Sequence, residues 1–83
     1  MRDRIILGHK LRSLREEAGL RPGELAAEAG CSKGHLRNIE GSGDQPSGPL
    51  AYRFVRALNQ HLNREINLDD FAYDIDASLA GAA

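Results

Sequence analysis

The stretch from Leu20 to Gly41, LRPGELAAEAGCSKGHLRNIEG, constrains this chain more than any other, because it reads as two short helices joined by a tight turn. Pro22 suits a first helical turn, where its missing N–H leaves no donor unpaired, and Leu25, Ala26 and Ala29 supply a small-residue inner face that lets a second helix cross closely. Gly30 supplies the left-handed backbone that stops one helix and redirects the chain, and Cys31 after it is expected to point inward. Ser32 is placed to cap the second helix. There Leu36 and Ile39, three residues apart, share a face that must be buried. Stepping about 100° per residue from Leu36, Gly34 and Asn38 fall nearly opposite, with Arg37 to one side and His35 to the other. Glu40 and Gly41 mark the end.

The Leu25-Ala26 pair, the turn Gly30, the buried Cys31, the cap Ser32, the spacing to Leu36 and Ile39 and the closing Glu40-Gly41 together resemble the helix-turn-helix of the phage-repressor or Cro-like family, also called the xenobiotic-response-element family. The resemblance extends back over LGHKLRSLREEAGL and forward to LNREINLDDF, covering residues 7 to 71. It implies an all-α fold, a compact four- or five-helix lambda-repressor-like domain over residues 1–71 that binds double-stranded DNA, followed by a C-terminal extension over 72–83. It also implies an ion pair between Arg15 and Glu40, joining the first and third helices. Arg15 lies on the edge of an apolar stripe, and Glu40 has the same borderline position on its own helix. A charge there needs a partner, and Arg suits bidentate pairing with a carboxylate.

Eighty-three residues leave room for one domain with a limited core, which a dimer contact would help. The single Cys31 excludes an internal disulfide, and His9, His35 and His61 are too scattered for a metal site, so no metal and no cofactor are expected. No signal peptide opens the chain and no apolar run approaches the about 20 residues of a membrane span. A cytoplasmic, nucleoid-associated protein of bacterial or phage origin fits. The formal net charge of −1 argues against a generic polyanion binder. Its distribution is uneven: residues 1 to 40 carry eight Lys or Arg against six Asp or Glu, whereas residues 65 to 76 hold Glu65, Asp69, Asp70, Asp74 and Asp76 and no basic residue.

The first helix is expected from Asp3 or Arg4 to Ala18, with Leu7, Leu11, Leu14 and Ala18 along one stripe. The stretch from Gly41 to Gly48, GSGDQPSG, is a loop by composition, and a fourth helix follows from Pro49 to Leu62 or Asn63. Asn67 is placed to cap a last helix in which Phe71, Ile75 and Leu79 recur every four residues. That stripe either packs on the core, frays or contacts a twin or other partner, and self-association is preferred because small domains often bury an extra apolar stripe in a dimer.

The second helix of a helix-turn-helix enters the major groove, so its outward side chains set sequence preference. By position Lys33, His35, Arg37 and Asn38 are the base-reading candidates. Asn38 suits adenine and Lys33 guanine, while Arg37 and His35 reach either a base edge or a phosphate, with phosphate preferred for both. Gly34 presents only backbone, which narrows the readout. Phosphate contacts are assigned to Arg21, Ser32, Ser42, Gln45 and Lys10, with Arg2, Arg4 and Arg12 as further candidates. Pro22 stands where the family carries a polar residue and can donate nothing. No catalytic constellation is present, so no enzyme activity is expected. Two functions remain: a repressor-like regulator that binds an inverted repeat as a homodimer, and a protein-interaction module, such as the antitoxin of a toxin-antitoxin pair, holding a protein partner by its acidic end.

Overall fold

The computed structural model describes residues 3–75. In chain order it contains strand β1 (Asp3–Ile6), helices α1 (Gly8–Glu17), α2 (Pro22–Ala29), α3 (Lys33–Ser42) and α4 (Gly48–Asn59), a short 3-10 helix (Leu68–Asp70) and strand β2 (Ala72–Ile75). Four helices enclose the core, whose largest fully buried side chains are Leu11 from α1, Leu25 from α2, Leu36 and Ile39 from α3, Phe54 and Leu58 from α4, and Phe71 after the 3-10 helix.

Local chemistry sets the boundaries of the central helices. Pro22 opens α2, and the Glu24 carboxylate accepts the Arg21 backbone N–H at 2.7 Å. Gly30 closes it with φ 78°, and the Cys31 N–H reaches back to the Ala26 carbonyl at 2.9 Å. Ser32 Oγ accepts the His35 N–H at 3.0 Å and starts α3. That helix runs through Gly41 and Ser42 and stops only where Gly43 turns left-handed, so the expected loop shrinks from its N-terminal side. Ser47 Oγ caps α4 by accepting the Leu50 N–H at 3.2 Å. This helix ends at Asn59, earlier than expected, because the Asn59 amide clamps the Ile66 backbone: its Oδ1 accepts the Ile66 N–H at 2.8 Å and its Nδ2 donates to the Ile66 carbonyl at 2.9 Å.

Both ends of the domain differ from the helices expected there. Residues 3–6 are a strand and α1 begins at Gly8. Asn67 caps the 3-10 helix, its Oδ1 accepting the Asp69 N–H at 3.2 Å, and the chain then enters β2 instead of a further α-helix. The strands pair antiparallel, with Asp3 opposite Ile75, Arg4 opposite Asp74, Ile5 opposite Tyr73 and Ile6 opposite Ala72. The physical reason is two-residue alternation: Ile6 and Ala72 are buried, while Ile5 is half-buried and Tyr73 is 50% exposed. Phe71 fills the core of its own chain, so its side chain offers no surface to a partner. The described part of the 72–83 extension is therefore a strand on the same body. Leu79, the third residue of the expected stripe, and Arg2 lie outside the described residues.

An exposed fork joins α1 to the segment after α4: Arg64 Nε and Nη2 donate to Glu17 at 3.0 and 3.1 Å. That hydrogen bond holds the Glu17 carboxyl below its ordinary value of 4.5. A carboxyl depressed on folding adds stability that is fully present above 4.5 and is lost as pH falls through its folded-state value. Glu17→Gln is thus expected to make the acid side of the stability profile shallower below pH 4.5 and to leave its shape above that pH unchanged, as read by urea titration at stepped pH.

Candidate nucleic-acid interface

Arg15 and Glu40 are almost withdrawn from water, with side chains 9% and 7% exposed. The guanidinium donates from Nε to Glu40 Oε2 at 2.9 Å and from Nη2 to Oε1 at 3.2 Å, and its Nη1 donates to the Leu20 carbonyl at 2.9 Å. One side chain of α1 therefore holds both α3 and the turn before α2. The first turn of α1 also comes close to this same part of α3. A Cβ built on Gly8 would fall against the Ile39 carbonyl oxygen and within 2.7 Å of the Glu40 carbonyl oxygen.

With Leu36 and Ile39 facing the core, the opposite face of α3 is open. Lys33, Gly34, His35, Arg37, Asn38, Gly41 and Ser42 are all exposed along it. Beside this face lies a cleft of about 680 Å³, between α1, the start of α2 and α3. Its walls carry Arg12, Arg15, Arg21, Lys33 and Arg37 against Glu24 and Glu40. Arg15 is committed to Glu40, so the cations left to the cleft are Arg21, Lys33 and Arg37, with Arg12, whose Nε also donates to Glu16 at 3.3 Å in an exposed pair. The Lys33 stem passes Gly23 of α2, its Cδ 3.8 Å from where a Cβ would stand. The positive charge thus gathers on the flank of α3 that faces α1 and α2, whereas His35 and Asn38 do not line the cleft.

The structure brings Lys33, Arg37 and Arg21 together and leaves Lys10 outside that group. Arg12, one of the further candidates, lines the cleft, whereas Lys10 is exposed outside it. Arg12 lies one turn before Arg15 on α1, and i,i+3 neighbours share a face, so the ion pair itself points to it. Gln45 is redirected. Its Oε1 accepts the Ile6 N–H at 2.8 Å, and its Nε2 donates to the Ile6 carbonyl at 3.2 Å and the Gly43 carbonyl at 3.3 Å. Both amide protons are used within the chain, which leaves no donor for a phosphate. Ser42 is exposed at the last turn of α3, and the Ser32 oxygen that caps α3 keeps its own proton to donate. Burial pushes the Cys31 thiol up, partly opposed by the nearby Arg53 charge, so this half-buried cysteine stays a protonated packing residue of the turn.

Two helices joined by a left-handed glycine, the second bare on one face and flanked by cations, define a helix-turn-helix unit. A model of the helix-turn-helix domain matches residues 6–65, and the chain belongs to this xenobiotic-response-element or Cro-like family of DNA-binding domains. A search of curated proteins finds no match. Among the described residues no helix is long and apolar enough to cross a membrane, and no group of His, Cys, Asp or Glu is arranged to hold a metal ion.

Proposed function

We propose that this protein is a sequence-specific transcriptional regulator of the cytoplasm, repressor-like, that binds an inverted-repeat operator as a homodimer and acts by occupying the site. The observation that carries this reading is the open face of α3 beside the basic cleft. Asn38 and His35 stand on the side of α3 away from the cleft and read base edges, Asn38 donating to and accepting from adenine. Lys33 is placed to reach either a guanine edge or the backbone. Arg37, Arg12 and Arg21 neutralise phosphates along the cleft, with Ser32 and Ser42 as neutral donors at its margins. Two recognition helices bound to one operator would sit about 34 Å apart, in successive major grooves on one side of the duplex.

Selection of bound sequences from random duplex DNA, at two salt concentrations, tests this. The wild-type protein is expected to enrich an inverted repeat, and Asn38→Ala to relax one position of it at a cost of about 1–3 kcal/mol. Lys33→Ala is expected to weaken binding and, if its partner is a phosphate, to reduce the salt slope by about one. Absence of enrichment at low salt would favour the second reading, a protein-interaction module. That alternative draws on Pro22, which cannot donate, on the missing side chain at Gly34, and on the exposed Asp69 and Asp70 beside the ribbon.

A further inference from the structure

The last residue of β1 needs partners for both of its backbone groups. Leu7 N–H bonds the Phe71 carbonyl at 2.8 Å, so in the alternating antiparallel ladder the neighbouring pair, Ile6 and Ala72, turns its backbone groups away from each other. Ile6 is buried, where an unpaired amide is costly. The Gln45 side chain supplies both partners, as a further strand would: its Oε1 accepts the Ile6 N–H at 2.8 Å and its Nε2 donates to the Ile6 carbonyl at 3.2 Å. The other proton of Nε2 goes to the Gly43 carbonyl at 3.3 Å. Gly43 is the left-handed residue that stops α3, and its N–H, like that of Asp44 at 3.3 Å, returns to the Asn38 carbonyl. A hydrogen-bonded chain thus runs from the ribbon through Gln45 to the backbone of Asn38. Arg15 holds α3 at Glu40, but beyond that point Gly41 is a weak helix former with nothing within 4 Å of where a Cβ would stand, and Ser42 is exposed.

We propose that Gln45 is a positioning residue for DNA reading: it fastens the last turn of α3 to the ribbon, so that Asn38 and Ser42 meet the duplex in one fixed geometry. This deepens the regulator reading above and rests on it. Gln45 has no donor left for the duplex, because both amide protons are spent within the chain, so it acts through α3. The consequence falls on specificity more than on affinity. A bidentate contact from Asn38 to a base discriminates only while both of its bonds keep good geometry. Attraction between cations and phosphates tolerates small displacements, and it supplies nearly all of the binding to unrelated sequences. A last turn that frays therefore loses its choice of sequence before it loses its hold on DNA.

The test combines amide hydrogen exchange on the free full chain with binding to the duplex that selection enriches and to an unrelated duplex. Gln45→Met keeps the length of the side chain and removes its hydrogen bonds. It is expected to speed exchange at Ile6, Gly43 and Asp44 about fivefold or more. It is also expected to lower the ratio of specific to non-specific affinity about fivefold or more, while non-specific binding at low salt changes less than about twofold. Asn59→Ala is the control for a loss of stability alone. Asn59 clamps both backbone groups of Ile66 with its amide in the same way, so its removal should destabilise the fold and leave the specificity ratio at the wild-type value. Unchanged exchange in Gln45→Met, an unchanged specificity ratio, or an equal loss of that ratio in Asn59→Ala overturns the proposal. A wild type that enriches no sequence overturns the regulator reading and the DNA role of Gln45 with it, and the exchange rates then show separately whether Gln45 holds the end of α3.

Discussion

Arg15→Ala is expected to destabilise the domain by about 3–5 kcal/mol, because it strands the Glu40 carboxylate in a site that is 7% exposed. For a domain this small that is a fall in melting temperature of more than about 10 °C, measurable by a thermal scan. The loss comes less from the attraction that vanishes than from the buried charge left without a partner. Two companion variants separate these contributions. Arg15→Lys keeps the charge but cannot fork to both carboxylate oxygens and the Leu20 carbonyl together, so it should fall between wild type and Arg15→Ala. The double replacement Arg15→Met with Glu40→Leu should be no worse than either truncation alone, since it leaves no orphan. An unchanged melting curve for Arg15→Ala would show that the pair holds nothing together.

Gly8→Ala is the second large effect, about 3 kcal/mol or more, at the upper end of what overpacking costs. The added methyl group would meet main-chain oxygens of Ile39 and Glu40, which cannot swing aside as a side chain would. Relief requires α1 and α3 to separate at the very place where the recognition helix is anchored. Chemical denaturation should therefore show a lower midpoint, and DNA affinity should fall with it. Gly34→Ala provides the opposite case. Gly34 lies inside α3 with a helical backbone and nothing within 4 Å of a Cβ, so the same substitution should raise stability by about 1 kcal/mol through helix propensity. Equal effects at the two glycines would contradict the close approach at Gly8.

The helix-turn-helix was legible in the sequence because its signals are local. A proline at the first turn, a glycine at the stop, a serine cap and an apolar pair three residues apart each act within one turn of helix. The ribbon was not, for a physical reason: Phe71 and Ile75 are spaced as a helix would space them, and only a partner far away in sequence turns Ala72 inward and Tyr73 outward. At the other end Leu7 completed a plausible helical stripe, although the adjacent Ile5 and Ile6 are β-branched and Gly8 is a poor interior residue for a helix. In the site, the outward positions of α3 followed from where Leu36 and Ile39 must point. Gln45 did not follow from its neighbours. A glutamine in a glycine-rich loop reads as a free polar group until a strand edge is found beside it. Arg12 was visible only as one of several surface cations, and the cleft that gathers it with Arg21, Lys33 and Arg37 exists only once three helices are assembled.

The ribbon joins the first and last described residues, Asp3 and Ile75, so it closes the longest loop this fold contains. The helices around the turn meet through contacts close in sequence, and loop-closure entropy is smallest for such contacts. Folding is therefore expected to run inward to outward in time. The helix-turn-helix is expected to assemble early, and the four-residue strands to zip last and, on excursions from the native state, to open first, as hydrogen exchange would read. A chain caught before that final step would already carry the open face of α3 and would still lack the ribbon that ties its two ends together.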